Sequence, residues 1–181
     1  MQLESFVARS LGRWRSMRSG HSLAFQQFED VRSSVLIESI EPQDPLVLNL
    51  LKDCTIRDAK PIHPFRMEWN AESDWEPDDP SAITAGSCIL VPIPTDNRKG
   101  ILLRSVGYAE AEQAVSNYTF LEDDTFILST QYGQSIAEER IWFVSENVRC
   151  RSSVLRTSAG SGILQTSFAS EIRRLDSFSY Q

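Results

Sequence analysis

The sequence predicts an all-β protein whose strands form one closed, antiparallel up-and-down barrel. Two observations predict this class: apolar and β-branched runs of strand length recur along most of the chain, and only short turn-forming segments separate the later runs. Short connections join antiparallel neighbours, because a parallel crossover needs about a dozen residues or more. A long meander exposes its edges unless it closes, and a two-sheet sandwich is the alternative arrangement.

Two short segments carry helical periodicity instead. The first covers residues 1–11, and Gly12 can end it. The second covers residues 44–53, where Asp44 is placed to cap the helix and Pro45 occupies its first position. We therefore expect an N-terminal helix and one further short helix beside the strands.

Most of the remaining chain is predicted to form strands, about eight to ten in number. The clearest runs are residues 12–18, 32–40, 64–70, 87–93, 101–108, 126–132, 140–144, 148–156 and 163–173. We expect a single domain over residues 1–181, with the barrel over 12–174 and a tail over 175–181. Residues 71–84 are acidic and proline-containing, which predicts a long surface loop.

The composition is that of a globular domain large enough to bury a core, with 181 residues, 41% hydrophobic and 24% charged. A net charge of −7 disfavours nonspecific binding to nucleic acid or to an anionic membrane. The sequence has no apolar run of the roughly 20 residues that span a bilayer and no secretory signal, so we expect a cytoplasmic protein. Three cysteines and two histidines without ligand spacing give no reason to expect a disulfide framework or a metal site.

Alternation of side chains along a strand makes the direction of each charged residue testable. Arg149 and Arg151 share one face of their strand, whereas Cys150 lies on the other. Arg18 shares a face with Trp14, so an inward Trp14 implies an inward Arg18. Solvent exposure is the more common position for an arginine, since arginine is seldom fully buried.

A buried Arg18 would need a counter-charge. A dicarboxylate ligand could supply it, and so could Glu138 or Glu139, one of which must point inward if their strand begins early. An inward carboxylate beside a ligand could also exchange a proton with that ligand.

Tryptophans could line a cavity or stack on a ligand. We expect Trp142 to be part of the core, whereas Trp75 lies in the acidic loop, where an exposed aromatic side chain more often marks a binding surface. With Trp69 and inward arginines, such aromatic walls would suit a flat, conjugated molecule that carries two negative charges. The GxSxG, P-loop and GxGxxG motifs are absent from the sequence.

Four segments in order along the chain resemble the S-type (CpcS/CpeS) phycobiliprotein lyases of cyanobacteria. They are residues 12–21 (GRWRSMRSGH), 102–110 (LLRSVGYAE), 138–143 (EERIWF) with 147–151 (NVRCR), and 166–173 (TSFASEIR). The resemblance implies an antiparallel barrel like that of lipocalins and fatty-acid-binding proteins. It also implies an activity, the attachment of an open-chain tetrapyrrole to a phycobiliprotein cysteine through a thioether bond.

The resemblance further implies partners and a substrate. The pigment, phycocyanobilin or a relative, would be the substrate rather than a prosthetic group. The acceptors would be phycobiliprotein α and β subunits of the phycocyanin and allophycocyanin type, and the lyase itself is expected to be a homodimer. Two functions of other kinds stay open, namely a non-catalytic carrier of bilin, haem or fatty acid, and an assembly chaperone for the subunits.

Seven positions are carried over from the family. Three arginines would anchor the two propionates, two tryptophans would line or cover the pigment, and a glutamate and a histidine would exchange protons with pyrrole nitrogens. In that order, these residues are Arg18, Arg149, Arg151, Trp69, Trp75, Glu139 and His21.

Overall fold

The computed structural model describes residues 2–23, 25–52, 60–73, 85–105, 114–159 and 162–175. These ranges contain two helices, α1 (Leu3–Ser10) and α2 (Pro45–Lys52). They also contain ten strands: β1 (Gly12–Ser22), β2 (Gln27–Ser39), β3 (Phe65–Ser73), β4 (Ala85–Pro94), β5 (Lys99–Arg104), β6 (Ala114–Phe120), β7 (Phe126–Tyr132), β8 (Ser135–Ser145), β9 (Val148–Thr157) and β10 (Ile163–Arg173).

The ten strands form a closed barrel in which each strand pairs antiparallel with its neighbours along the chain, and β1 pairs with β10 to close the ring. Closure leaves the meander without an open edge, which is the physical reason for the barrel over a sandwich. The predicted fold class is thus confirmed. Neither helix in the described part of the chain is long and apolar enough to cross a lipid bilayer.

Helix α1 fills one end of the barrel. Its side chains Leu3, Phe6 and Val7 are buried in the main core cluster. The ring of Phe6 stacks on Phe126 at 4.3 Å between centroids and meets the edge of Phe120 at 5.6 Å. Aromatic contacts of this kind add to the free energy gained by apolar burial, so this end of the barrel is solid.

The opposite half of the barrel, here called the open half, is less tightly packed among the described residues. Several inner-face side chains there are small and remain partly accessible to water, although inner-face residues of a solid core would be buried. Examples are Ser33, Ala71, Ser153 and Ser167, which lie on four different strands. Small side chains on the inner wall leave more room inside this half of the barrel than in the half that α1 fills.

Helix α2 lies against the outside of the barrel. The carboxylate of Asp44 accepts a hydrogen bond from the backbone N–H of Leu46 at 2.8 Å, which confirms the predicted N-terminal cap. Val47 and Leu50 pack on Val91 and its neighbours in a second, smaller core cluster.

Strand β6 is an element that the sequence did not predict. Its inner face carries Ser116, which is fully buried, and its outer face carries Val115, which is 54% exposed. These two positions depart from the usual apolar-inside alternation, which resumes at the buried Tyr118 and Phe120, so the strand pattern is weak at its start.

Candidate functional site

The register of the barrel determines which charged residues face its interior. Trp14 is fully buried, which marks the even-numbered residues of β1 as inward. Ser16 lies opposite Glu171 on β10, and Glu171 lies opposite Arg149 on β9. Arg149 and Arg151 are therefore both inward, as the resemblance implies.

A chain of ion pairs runs along this inner wall. Arg149 Nε donates a short hydrogen bond to Glu171 Oε2. Arg151 Nη1 lies 3.6 Å from Glu171 Oε1, and Arg151 Nη2 donates to Glu139 Oε2 at 3.0 Å. The side chains of Arg149 and Glu171 are only 3% and 1% exposed, whereas that of Arg151 is 22% exposed. Of the two arginines in these ion pairs, Arg151 is thus the one that remains accessible from the open half of the barrel.

Ionisation of the buried pair depends on mutual attraction. Burial acts to raise the pKa of Glu171, but the charges of Arg149 and Arg151 outweigh it and hold the pKa below its ordinary value. Burial lowers the pKa of Arg149, and Glu171 opposes that change. Because an arginine in a protein keeps its proton, we describe the pair as fully charged.

Trp14 contacts both the ion pairs and the helix α1 that fills one end of the barrel. The guanidinium carbons of Arg149 and Arg173 lie 4.7 and 4.4 Å from its ring centroid. Its indole N–H donates to the carbonyl of Ser10 in α1 at 2.9 Å. Arg173 also donates to the carbonyl of Arg9 at 2.6 Å, which satisfies the C-terminal end of α1. Helix α1 therefore holds Trp14 and Arg173 in place beside the ion pairs.

Arg18 faces inward from the open half, as its parity with Trp14 predicts. Its side chain is 37% exposed, and it pairs with Glu29 of β2 at 3.2 Å. The counter-charge expected from Glu138 or Glu139 is therefore supplied by a different strand. Glu139 is the inward member of that pair, whereas Glu138 is bound by Arg140 at 3.0 Å on the outside.

Trp69 is also on the inner face, opposite Val35 of β2. Its indole lies over Gly86 on the neighbouring strand β4, where a Cβ would come within 2.8 Å of Trp69 Cε2. Glycine at position 86 therefore allows the ring to lie flat along the wall of the barrel.

Two expectations about side-chain direction are corrected by the register. His21 is odd-numbered on β1 and lies on the outer face, where its ring packs 4.8 Å from that of Phe28. Trp142 is likewise on the outside, 6.1 Å from Phe168, and it is not part of the core. Proton exchange between His21 and a ligand inside the barrel is incompatible with this position.

Of Trp75 and Cys150, Trp75 lies outside the described residues and Cys150 lies within them. Cys150 is on the outer face, opposite Trp142 of β8, and burial raises the pKa of its thiol. A thiol that points away from the cavity and resists ionisation is poorly placed to form a covalent adduct with a ligand inside the barrel.

Glu171 and Arg104 are site residues that the sequence reasoning did not single out. Glu171 could have been found once Arg149 was placed inward, because a buried arginine requires a counter-charge and β10 adjoins β9. Arg104 is 4% exposed, and its Nη2 donates to Thr130 Oγ1 at 3.0 Å and to the hydroxyl of Tyr132 at 2.8 Å.

Among the described residues, the closed barrel has one filled end, one less tightly packed half and an inner wall with charged and aromatic side chains. This is the architecture of a protein that binds one small ligand. Residues 2–174 match the family described as CpeS-like protein. The chain is 50% identical over 175 residues to chromophore lyase CpcS/CpeS 3 of Trichodesmium erythraeum (strain IMS101), covering 96% of this chain and 99% of the relative. It is 44% identical over 161 residues to a putative phycoerythrobilin lyase CpeS of Microchaete diplosiphon, covering 87% and 71% of the two chains.

A solved structure of an S-type lyase is also similar to this chain. The S-type phycobiliprotein lyase CPES from Guillardia theta superposes with a TM-score of 0.82 at 37% identity, covering 97% of this chain and 94% of that one. The chain belongs to the CpeS-like family of S-type chromophore lyases, which confirms the resemblance seen in its motifs.

Proposed function

We propose that this protein binds an open-chain tetrapyrrole in the open half of its barrel and attaches it to a cysteine of a phycobiliprotein subunit through a thioether bond. One observation carries the proposal. Arg151 is held on the inner wall by Glu139 and Glu171, yet its side chain remains 22% exposed. A guanidinium that is held in a fixed orientation and stays accessible is suited to donate a charge-assisted hydrogen bond to a propionate.

The arginines divide into two roles in this proposal. Arg151 and Arg18 are accessible and would contact the acid arms of the pigment. Arg149 is buried and neutralised by Glu171, so it would position Arg151 rather than touch the pigment. Trp69 would lie against the conjugated rings.

The bond-forming step needs no residue of this chain as nucleophile. The acceptor's cysteine thiolate adds to the ethylidene carbon of the pigment's ring A, and the carbon–carbon double bond is consumed as the carbon–sulfur bond forms. The proton released by the thiol is returned to the pigment, so neither an oxidant nor a reductant is required. The barrel would present one conformation and one face of the pigment to the thiol and exclude side reactions with water.

Glu139 is the group that we propose exchanges a proton with the pyrrole nitrogens. It is an inward carboxylate, 9% exposed, that shares Arg151 with Glu171. Protonation of the pigment's nitrogens makes ring A more electrophilic, and a positioned carboxylate typically contributes such transfers at a useful rate. With His21 on the outer face, Glu139 remains of the two residues expected in this role.

The pigment and acceptor are proposed to be of the phycocyanobilin and phycocyanin or allophycocyanin types. Phycoerythrobilin is the competing pigment, since the Microchaete relative is described as a putative lyase for it. The reaction is proposed to occur in the cytoplasm, where an acceptor thiol stays reduced.

Purified protein mixed with pigment and apo-subunit tests the proposal, with adduct mass, absorbance and stereochemistry as readouts. The protein should increase both the rate and the stereochemical purity of the adduct, and Arg151→Gln should abolish the gain, whereas Arg140→Gln on the outside should preserve it. An adduct rate and stereochemical purity unchanged by the protein, together with tight pigment binding, would identify a carrier. Stable binding of apo-subunit without pigment would identify a chaperone. Either of these results would refute the proposal.

A homodimer is proposed on the basis of the outer wall. Met17 on β1 is 55% exposed, and its diagonal neighbours on β10, Phe168 and Ile172, are 46% and 59% exposed. Adjacent exposed apolar side chains are common at subunit contacts. Sedimentation of an Ile172→Asp variant should then give a monomer, and an unchanged sedimentation coefficient would argue against this contact.

A further inference from the structure

The end of the barrel opposite α1 is formed by turns between strands. Strand β1 begins next to α1 and ends at Ser22, so the turn from β1 to β2 lies at the opposite end. Ser22 pairs with Gln165, near the start of β10, which places the turn from β9 to β10 at the same end. Because α1 fills its own end of the barrel with buried side chains, a thiol of another protein would approach a ligand in the open half from this rim.

Large apolar side chains are exposed on one side of this rim. Phe25, in the turn from β1 to β2, is 76% exposed, and Leu23 in the same turn is 49% exposed. Phe28 and Ile163, near the starts of β2 and β10, are 58% and 50% exposed. The backbone N–H of Leu23 donates to the carbonyl of Leu164 at 3.0 Å, so this turn lies directly beside the start of β10.

An arginine adjoins these apolar side chains. Arg156 of β9 lies opposite Ile136 of β8 and Ile163 of β10, on the outer face. It forms no ion pair with another described residue, whereas Arg18, near the same end, is bound by Glu29. A partner surface that presents a carboxylate beside apolar side chains would complement this arrangement. We define the rim patch as Leu23, Phe25, Phe28, Arg156 and Ile163.

The rim patch has the composition of a protein-binding surface. Single exposed apolar residues are ordinary, but adjacent ones more often mark an interaction site, and aromatic residues and arginine are enriched at interfaces. The turn from β7 to β8 lies at the same end but holds Gly133 and Gln134, so among the described turns of this rim the large exposed apolar side chains are on one side. The net charge of −7 disfavours an anionic membrane as the partner.

We propose that the rim patch is the docking surface for the acceptor subunit, which presents apolar side chains and a carboxylate to it. This inference rests on the proposed function and adds to it the surface that recognises the protein substrate. The acceptor's thiol must come within bonding distance of the pigment's ring A, so the acceptor has to touch the rim during transfer. Met17 and Phe168 of the proposed dimer contact lie farther along the outer wall toward α1, so the two contacts use different side chains.

Steady-state transfer of phycocyanobilin to a phycocyanin apo-subunit, measured over a range of subunit concentrations, tests the docking surface. Weaker docking raises KM for the subunit and leaves the chemical step unchanged. Phe25→Ser should raise that KM about tenfold or more and keep kcat and the pigment's Kd within about twofold of wild type. Val144→Ser is the matched control, since Val144 is 64% exposed beside the turn from β8 to β9 at the α1 end, and it should change none of these constants.

Arg156→Gln tests the charged part of the rim patch. The variant should raise KM for the subunit at low salt, and its KM should depend less on salt concentration than that of wild type, since salt screens exposed charges. Arg140→Gln removes an outer arginine that is already paired with Glu138 at 3.0 Å, so it should keep the wild-type KM and salt dependence.

An unchanged KM in Phe25→Ser would overturn the docking surface, and so would a loss of pigment affinity as large as the rise in KM. A lower sedimentation coefficient for Phe25→Ser would identify a second copy of this chain as the occupant. Binding of wild type, but not of Phe25→Ser, to phosphatidylcholine vesicles would identify a membrane, and either result would also overturn the proposal. Wild-type protein that transfers no pigment to the apo-subunit would refute the proposed function itself, a result distinct from normal transfer with unchanged KM in the variants.

Discussion

Arg149 and Glu171 form an ion pair that is almost completely removed from water, with side chains only 3% and 1% exposed. Removing one member of a buried pair leaves an uncompensated charge, which typically costs about 3–5 kcal/mol. Glu171→Gln should therefore lower the free energy of unfolding by about that amount, as measured by urea denaturation. A loss below about 1 kcal/mol would show that water reaches the pair after all.

The pH dependence of stability should contain a contribution from the same carboxylate. The pKa of Glu171 is lowered from its ordinary value of 4.5 in the folded protein. Its contribution is then fully present above about pH 4.5 and is lost as the pH falls through the folded-state pKa. Below about pH 4.5 the free energy of unfolding should fall more steeply in wild-type protein than in Glu171→Gln, and equal slopes would contradict the assignment.

A double variant separates the effect of the Arg149–Glu171 pair on folding stability from its effect on the position of Arg151. Replacing Arg149 by Met and Glu171 by Leu removes both charges, and such replacements of a buried pair are often neutral or stabilising. The double variant should regain most of the stability that Glu171→Gln loses. Its pigment affinity should still be several-fold weaker, because Arg151 has lost one of the two carboxylates that orient it. Full recovery of affinity would show that the pair serves stability alone.

Gly86→Ala should disturb the aromatic wall. A Cβ at this position would lie 2.8 Å from Trp69 Cε2, so the indole must move away from β4. We expect a shifted tryptophan emission spectrum and pigment binding several-fold weaker than wild type. Gly162→Ala is the matched control, since a Cβ there meets no atom of the described residues within 4 Å. Wild-type emission and affinity in Gly86→Ala would show that the Trp69 indole does not lie over position 86.

Cys150→Ser should leave transfer of the pigment unchanged. The thiol lies on the outer wall beside Trp142, and burial raises its pKa. Trapping the reaction with acid and measuring protein mass would detect any covalent intermediate. Loss of transfer in Cys150→Ser, together with a pigment adduct on the wild-type chain, would replace direct attack by a relay through this cysteine.

The closed barrel and the shared direction of Arg18 and Trp14 could be predicted because both follow from local patterns, whereas the inward direction of Arg149 and Arg151 was implied by the family resemblance. Turn signals determine which strands are neighbours, and alternation relates Arg18 to Trp14 and Arg149 to Arg151. Tyr118 and Phe120 of β6 alternate inward as expected, but the pattern is weak at the start of the strand, where a serine is buried and Val115 is exposed.

Partners across the barrel could not be predicted in the same way. Glu171 meets Arg149 only through the register of β9 with β10, and Arg104 reaches Thr130 by crossing an intervening strand. Sequence spacing contains no information on such contacts. The outward direction of His21 follows from its odd position beside an inward Trp14, but the family resemblance placed it in the pocket.

The transfer rates of two adjacent glutamate variants test the central claim most directly. Glu139 and Glu138 are neighbours on β8, each paired with an arginine at 3.0 Å, one inside the barrel and one outside. In a single-turnover reaction with pigment and apo-subunit, Glu139→Gln should slow thioether formation about a hundredfold or more, while Glu138→Gln should match wild type. Equal rates for the two variants would contradict the account, because the inner wall would then take no part in the reaction.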